Sequence, residues 1–395
     1  MTDRHSKPLY VDPNLQIVFG VTLMAVLGIP SVTPAFPSIG RAFDLSSQAV
    51  GNLITAFTLP GVLLTPVLGI MADRYSRKWI LVPGLVIFGL AGGACALARD
   101  FRLLLGLRFV QGIGAAALNI LYITLIGDLY SGEKRTAAMG YNASVLSVGT
   151  AAYPAIGGAL ATLGWYYPFA LPVLAIPIAF LALFALENPE PRREYALQRY
   201  LQQAWTSIKH GQAIALFALT LMTFIMIYGV YLTYLPFLME NAFEASPLTI
   251  GITMSGMSLA TAFTSSQLGR LTSLCSEKLL FQIACGLYGV ALLMIPFAPS
   301  LLVLWLPVIL FGVAQGLSIP NLQTHLASLA PIEHRGAFMS VSSVVLRLGQ
   351  TLGPPLMGAV SGAGGITATF TAGAAIAAVM LILTALTMKE RREAQ

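Results

Sequence analysis

Gly69-Ile-Met-Ala-Asp73-Arg74-Tyr-Ser-Arg77-Lys78 stands between two long apolar stretches. Two hundred residues later, Gly269-Arg-Leu-Thr-Ser-Leu-Cys-Ser276-Glu277-Lys278 stands between two more. A fixed offset between the halves of an apolar chain marks an internal duplication. Paired helix bundles are how many membrane carriers build a site at their interface.

Composition agrees. The 395 residues are 56% hydrophobic and 10% charged, with a mean hydropathy of +0.78. A soluble protein carries about 25% charged residues. Apolar runs of roughly 20 residues, each able to cross a hydrocarbon core of about 30 Å, centre near residues 25, 59, 88, 115, 147, 176, 226, 259, 288, 314, 347 and 376. The expected fold is therefore an all-α integral membrane protein. Its twelve transmembrane helices form two pseudo-symmetric six-helix bundles, residues 1–190 and 211–395. The polar start, residues 1–12, has no cleavable signal pattern, so the first apolar segment is expected to be retained. Cys95, Cys275 and Cys285 are odd in number with no CxxC pair, which points to neither a disulfide framework nor a metal site.

The net charge of +6 is not a nucleic-acid signal, because of where it sits. With both termini placed inside, 17 of the 22 Lys and Arg fall in inner loops and tails; only Arg41, Arg99 and Arg102 fall outside. This positive-inside asymmetry predicts a multi-pass protein of the cell (inner) membrane with both termini cytoplasmic. The break 191–210 reads as a cytoplasmic linker. In it Leu197, Leu201, Trp205 and Ile208 recur at helical spacing, as in an amphipathic helix lying on the membrane or, more plainly, a solvated linker.

The duplication is clearest in segments 5 and 11. There Gly149, Pro154 and Gly158 match Gly349, Pro354 and Gly358, all at offset 200. Segments 4 and 10 share Gln111-Gly112 and Gln315-Gly316, where the offset drifts to 204. The repeats run in the same direction, which predicts an axis along the membrane normal.

Arg108 and Arg347 are the two basic residues inside apolar segments, and all sixteen acids fall in loops, tails or helix ends. Arg347 lies about fourteen residues into segment 11, roughly 21 Å, near mid-membrane. A charge at that depth costs at least about 2.5–3.5 kcal/mol and should face water or a partner. Ser340, Ser343, Arg347 and Gln350 form one helical stripe. Arg108, Gln111, Ala115, Asn119 and Tyr122 form another. Asn321, Gln323 and His325 add polar atoms in segment 10, and Tyr228, Tyr231 and Tyr234 in segment 7. From these, the candidate substrate-cavity residues are Arg108, Gln111, Asn119, Tyr122, Tyr228, Tyr231, Asn321, Gln323, His325, Ser343, Arg347 and Gln350. The tyrosines fit interfacial anchoring equally well, and Arg108 fits a structural or proton-relay role. A cavity with a fixed positive charge suits a substrate with an anionic group and an apolar body.

Four motifs carry a resemblance to the major facilitator superfamily over essentially the whole chain. Gly69-x-x-x-Asp73-Arg74-x-x-Arg77-Lys78 resembles its loop 2–3 motif, with Ser76 where Gly is usual. Arg108-x-x-Gln111-Gly112-x-Gly114 resembles the helix 4 motif of proton-coupled members. Gly140-x8-Gly149-x3-Tyr153-Pro154-x2-Gly157-Gly158 resembles the helix 5 antiporter motif, with Tyr153 replacing a usual Gly. Leu27-Gly28-x5-Pro34-x-x-Pro37 resembles the helix 1 motif of the twelve-helix drug:proton antiporter branch.

The resemblance implies an inner gate of Gly69, Asp73, Arg74, Arg77, Lys78 and Asp128. In it Asp73 would meet the dipole at the start of helix 11, worth about 0.3–1 kcal/mol. Arg77 would pair with Asp128, latching the gate while the cavity opens outward. The second copy, with Ser273, Leu274 and Glu277, is expected to lack an equivalent latch between helices 8 and 9. It implies a helix 5 hinge at Gly140, Gly149, Pro154, Gly157 and Gly158, although plain close packing of small residues reads the same way.

The expected function is secondary active export of small amphiphilic molecules by alternating access, multidrug-type and proton-coupled, by a monomer in contact with membrane lipid. The lack of a midplane acid departs from the resembled branch and favours an alternative, export of an anionic metabolite or siderophore-type chelator. A lipid flippase is a further alternative. No nucleophile–base pair or metal-ligand set suggests an enzyme, and no cofactor is implied.

Overall fold

A computed structural model describes residues 8–74, 76–187, 211–329 and 335–388; the side chains of Ile70, Asp73, Arg74 and 335–337 lie outside that description. The expected linker helix at 191–210 lies outside it too.

Among the described residues every element is helical. Nine helices are long and apolar enough to cross a membrane. Three further crossings complete the bundle. The first, α1, runs Pro13–Leu27, breaks at residues 28–32 and continues as Phe36–Phe43. The eighth, α8, is Pro247–Leu274, diluted by Ser and Thr. The long Arg335–Thr387 helix is two crossings, because Gly365 at φ 77° turns the chain between them. No Cβ obstructs that left-handed backbone in glycine. The others are α2 (Ser47–Arg74), α3 (Arg77–Cys95), α4 (Phe101–Leu129), α5 (Gly132–Leu163) and α6 (Tyr167–Ala185). The second half adds α7 (Gly211–Phe243), α9 (Glu277–Phe297), α10 (Leu301–Leu329), α11 (335–364) and α12 (366–387). Each expected segment centre falls inside its own helix.

Local chemistry sets the ends. Asp12 caps Pro13 at α1, accepting from the Asn14 N–H at 2.9 Å. Asp100 caps α4 through the Leu103 N–H, Ser246 caps α8 through Thr249 and Ser276 caps α9 through Leu279. Each side-chain oxygen satisfies an N–H that the helix leaves free. The Tyr130 hydroxyl, just past α4, donates to Asp12 at 2.8 Å. Burial first, and then Asp12, push that phenol's pKa well up.

The repeat persists at atomic level. α2 and α8 share their bounds at offset 200, as do α4 and α10. Asp44 (φ 52°) and Glu244 (φ 51°) end α1 and α7 in the same left-handed conformation. Lys78 Nζ donates to the Leu183 carbonyl at 3.2 Å, and Lys278 Nζ to Ala385 at 3.1 Å. Each thus caps the negative end of its half's sixth helix. A Cβ on Gly112 would collide with the Phe57 carbonyl, and one on Gly312 with Met257. The equivalence is therefore Gly112 with Gly312, and the drift to 204 through Gln315 is corrected: the offset stays at 200 along these helices.

The halves meet along α2 with α11 and α5 with α8. Thr55 Oγ1 donates to the Thr351 carbonyl at 3.0 Å, while its repeat partner Ser255 accepts from the Ala155 N–H at 3.0 Å. Pro154 lacks an N–H and disturbs its own turn; Ser255 serves the next amide across the interface.

Candidate substrate cavity

The face carrying the start of α1 and the end of α12, on the side of the termini, differs from the one opposite it. On the far face the halves are pressed together. Gly251 leaves no room for a Cβ against the Pro154 carbonyl, nor Gly158 against Pro247. A Cβ on Gly358 would lie 2.7 Å from Gln48, and Arg41 pairs with Glu240 across the halves. Toward the termini, Gly69, Gly140 and Gly269 meet nothing within 4 Å, and Tyr141 and Val148 on α5 are exposed. The cavity between the halves is sealed at the far face and opens toward the termini.

It has two lobes. One, about 350 Å³, is lined from α1, α2, α4, α5, α7, α10 and α11, and includes Phe57, Thr58, Asn119, Tyr122, Arg347 and Gln350. The other, about 300 Å³, includes Ile227, Leu232, Met254, Met257, Thr261 and Gln315. Pro30, Leu146, Thr150, Phe224, Tyr228 and Ile319 line both and form the waist. Among these lining residues Arg347 alone carries a charge. Asn119 is oriented by donating to the Ala115 carbonyl at 2.8 Å.

So Asn119, Tyr122, Tyr228, Arg347 and Gln350 come together. The remaining cavity candidates do not. Arg108 is 1% exposed. Its Nη1 donates to the Gly28 carbonyl at 2.9 Å and to Gln111 Oε1 at 2.8 Å. The guanidinium centre lies 4.3 Å from the Phe57 ring centroid. The reason is the break in α1: Pro30 has no N–H, and the Val32 N–H turns to Ile29, which leaves the Gly28 carbonyl for the arginine. Arg108 and Gln111 are struts rather than cavity walls.

Tyr231 is fully buried and stacks on Phe311 with centroids 4.5 Å apart. Asn321 Nδ2 donates to the Glu277 carbonyl at 2.7 Å. His325 Nε2 lies 3.0 Å from Glu277 Oε2, so both belong to the α9–α10 junction. Gln323 is exposed. Ser343 is exposed as well, its hydroxyl turned back to the Met339 carbonyl at 3.0 Å.

The gate expectations divide similarly. Arg77 Nε meets Asp128 Oδ2 at 2.9 Å while the cavity is open toward the termini. The pair therefore ties α3 to α4 within one half and does not depend on the opposite state. Lys78 is a helix cap, and Gly69 faces open space. Asp73 and Arg74 lie outside the described side chains. The second half has its own α9–α10 contact, Glu277 with His325, which joins a different pair of helices from the α8–α9 latch that the second copy is expected to lack.

In α5, Gly149 packs on Leu23, Gly157 on the Ser31 backbone and Gly158 on Pro247, whereas Gly140 packs on nothing. Sequence reasoning missed Met254, Met257, Phe224 and Thr58 as lining residues. The Ser, Thr and Met content of α8 was the available signal. Among the described residues no group of three or more His, Cys, Asp or Glu is set to hold a metal.

The Major Facilitator Superfamily model matches residues 18–242 and again residues 230–395. Multidrug resistance protein 2 of Bacillus subtilis (strain 168) is 26% identical over 352 residues, 87% of each chain. The Bacillibactin exporter of the same strain is 26% identical over 397 residues, 96% of this chain and 98% of that one. Among solved structures, a bacterial homolog of the human lysosomal transporter Spinster superposes with a TM-score of 0.78. It is 17% identical, over 97% of this chain and 96% of that one. The human organic anion transporter MFSD10 gives 0.71 at 20% identity, over 96% and 100%. At such identities the likeness is one of fold.

Proposed function

The chain belongs to the Major Facilitator Superfamily, and on that premise we propose that it exports small amphiphilic molecules by alternating access, with protons as counter-ion. The observation that carries this is the central cavity, sealed at the far face and open toward the termini. The sealing surfaces are glycine-to-backbone approaches along α5–α8 and glycine-to-side-chain approaches along α2–α11, which can part and re-form as rigid bundles rock. Residues 1–190 and 211–395 would be those bundles, joined by 191–210. The Lys and Arg asymmetry supports cytoplasmic termini, so this state would receive cargo from the cytoplasm. The cavity volume falls in the range of small-molecule sites, about 300–1,000 Å³. The relatives named for multidrug and quinolone resistance, the latter NorA of Staphylococcus aureus at 25% identity over 62% of this chain, support drug-like cargo. The protein would act as a monomer.

Among the described residues no carboxylate lines the cavity, so proton carriers would be drawn from end-of-helix acids such as Asp73, Asp128 and Glu240, from His325, or from the cargo. A substrate panel in proteoliposomes, with and without an imposed pH gradient, tests the reading. Gradient-driven, uncoupler-sensitive transport of amphiphiles is expected. Transport indifferent to both gradient and uncoupler would overturn proton coupling, and transport of none of the panel would overturn the export reading.

A second reading, export of an anionic metabolite or siderophore-type chelator, is favoured by the lone charge of Arg347 in the cavity wall. The near full-length match to a relative named for bacillibactin export also supports it.

A further inference from the structure

We propose that Arg347, with Tyr122 and Tyr228, forms a seat for one organic anionic group, and that the methionine lobe beyond the waist takes the apolar body attached to it. The inference rests on the cavity being the cargo site. It adds which chemistry is read there and by which atoms.

Three observations carry it. First, the charge is uncompensated. Among the described residues no carboxylate pairs with Arg347, and neither lobe is lined by an acid or a histidine. A guanidinium at membrane depth costs several kcal/mol unless water or an anion meets it. Here it meets the cavity.

Second, the position is built. A Cβ on Gly61 would lie 2.6 Å from Arg347 Nη1 and 3.0 Å from its Cδ. The side chain therefore lies across α2 at Gly61, where an added methyl group would crowd the guanidinium. Arg347 comes from α11 and Gly61 from α2, so the seat straddles both halves. Its backbone is held as well, with the carbonyl accepting from Thr351 Oγ1 at 2.8 Å. Tyr122 and Tyr228 line the same lobe and bring hydroxyl donors. A guanidinium fork with phenol donors suits a carboxylate or sulfonate oxygen pair.

Third, the charge is at one end only. Past the shared waist of Phe224, Leu146 and Ile319, the second lobe offers Met254, Met257, Ile227 and Leu232. Methionine side chains adapt to varied apolar shapes, so the seat selects charge while the lobe tolerates different bodies.

The test uses the full chain in nanodiscs of zwitterionic lipid and a matched probe pair, dansylglycine (a monoanion) and its neutral amide. Binding is read by equilibrium dialysis against empty discs. Wild type is expected to hold the anion at least tenfold more tightly than the amide, about 1.4 kcal/mol. Arg347→Gln should remove that preference and leave amide binding within twofold; Arg347→Lys should restore part of it. Gly61→Ala keeps the charge but crowds the guanidinium, and should also reduce the preference, which covers the case that Arg347→Gln does not fold. A dansyl sulfonate arm separates carboxylate selection from general anion selection. Equal binding of anion and amide by wild type, or equal loss of both in Arg347→Gln, overturns the seat while leaving the export reading intact. Binding of neither probe above empty discs counts against the cargo cavity itself and takes the seat with it.

Discussion

Glu277 Oε2 lies 3.0 Å from His325 Nε2, about one helical turn short of the repeat position of Asp128, whose Oδ2 meets Arg77 Nε at 2.9 Å in the first half. The two contacts do one job: each ties the start of a third helix to the end of a fourth. A duplication preserves the geometry of a junction more strictly than the residues that make it.

Asp128→Asn keeps the shape and removes the charge that Arg77 meets, so about 1.5–3 kcal/mol of stability is expected to be lost. This would be read as a fall of several degrees in the thermal unfolding midpoint. His325→Gln should also lower that midpoint while leaving gradient-driven transport running, since His325 is in the α9–α10 junction and not in the cavity. Loss of gradient dependence in that variant, with an unchanged midpoint, would make His325 a proton carrier instead.

Gly251→Ala places a methyl group against the Pro154 carbonyl. The far-face seal cannot then close, and transport should fall more than tenfold although the protein still inserts. Gly106→Ala is the control: nothing lies within 4 Å of its Cβ position, and helix propensity favours Ala by roughly 0.5–1 kcal/mol. Transport and membrane expression of the two variants, compared side by side, check the point.

Arg41 and Glu240 join the halves at the far face, but their side chains are 62% and 23% exposed. An exposed pair contributes about 0.2–1 kcal/mol. Glu240→Gln should therefore shift the equilibrium between the two cavity states by only about fivefold or less. The rate at which an impermeant thiol reagent reaches Thr233→Cys, a buried position beside Gly51, measures that shift in a background without other cysteines. A shift of a hundredfold would mean the pair is the main lock.

Arg108→Leu should destabilise strongly. The Gly28 carbonyl alone, left buried and unpaired, costs about 1–3 kcal/mol, and the contact with Phe57 is lost as well. Arg108→Lys should recover part, since one ammonium cannot reach Gly28, Gln111 and Phe57 with the same planar geometry. Unfolding midpoints of the two variants give the comparison. Near-wild-type stability of Arg108→Leu would return Arg108 to the transport pathway.

Hydropathy and the 200-residue offset determined the crossings and the kinship of the halves. These are properties of single segments set against lipid and water, and a linear pattern carries them. Even the equal bounds of α2 and α8 follow from the repeat. Which intramembrane polar residues face the cavity was decided by tertiary structure. Arg108 and Arg347 look alike in sequence, each one arginine on a polar helical stripe. The break at Pro30 in α1 frees a carbonyl that captures Arg108, while Gly61 on α2 gives Arg347 room at the open side. A helical stripe says which residues share a face, not which neighbour that face meets. That depends on backbone carbonyls and glycines contributed by helices far away in the chain.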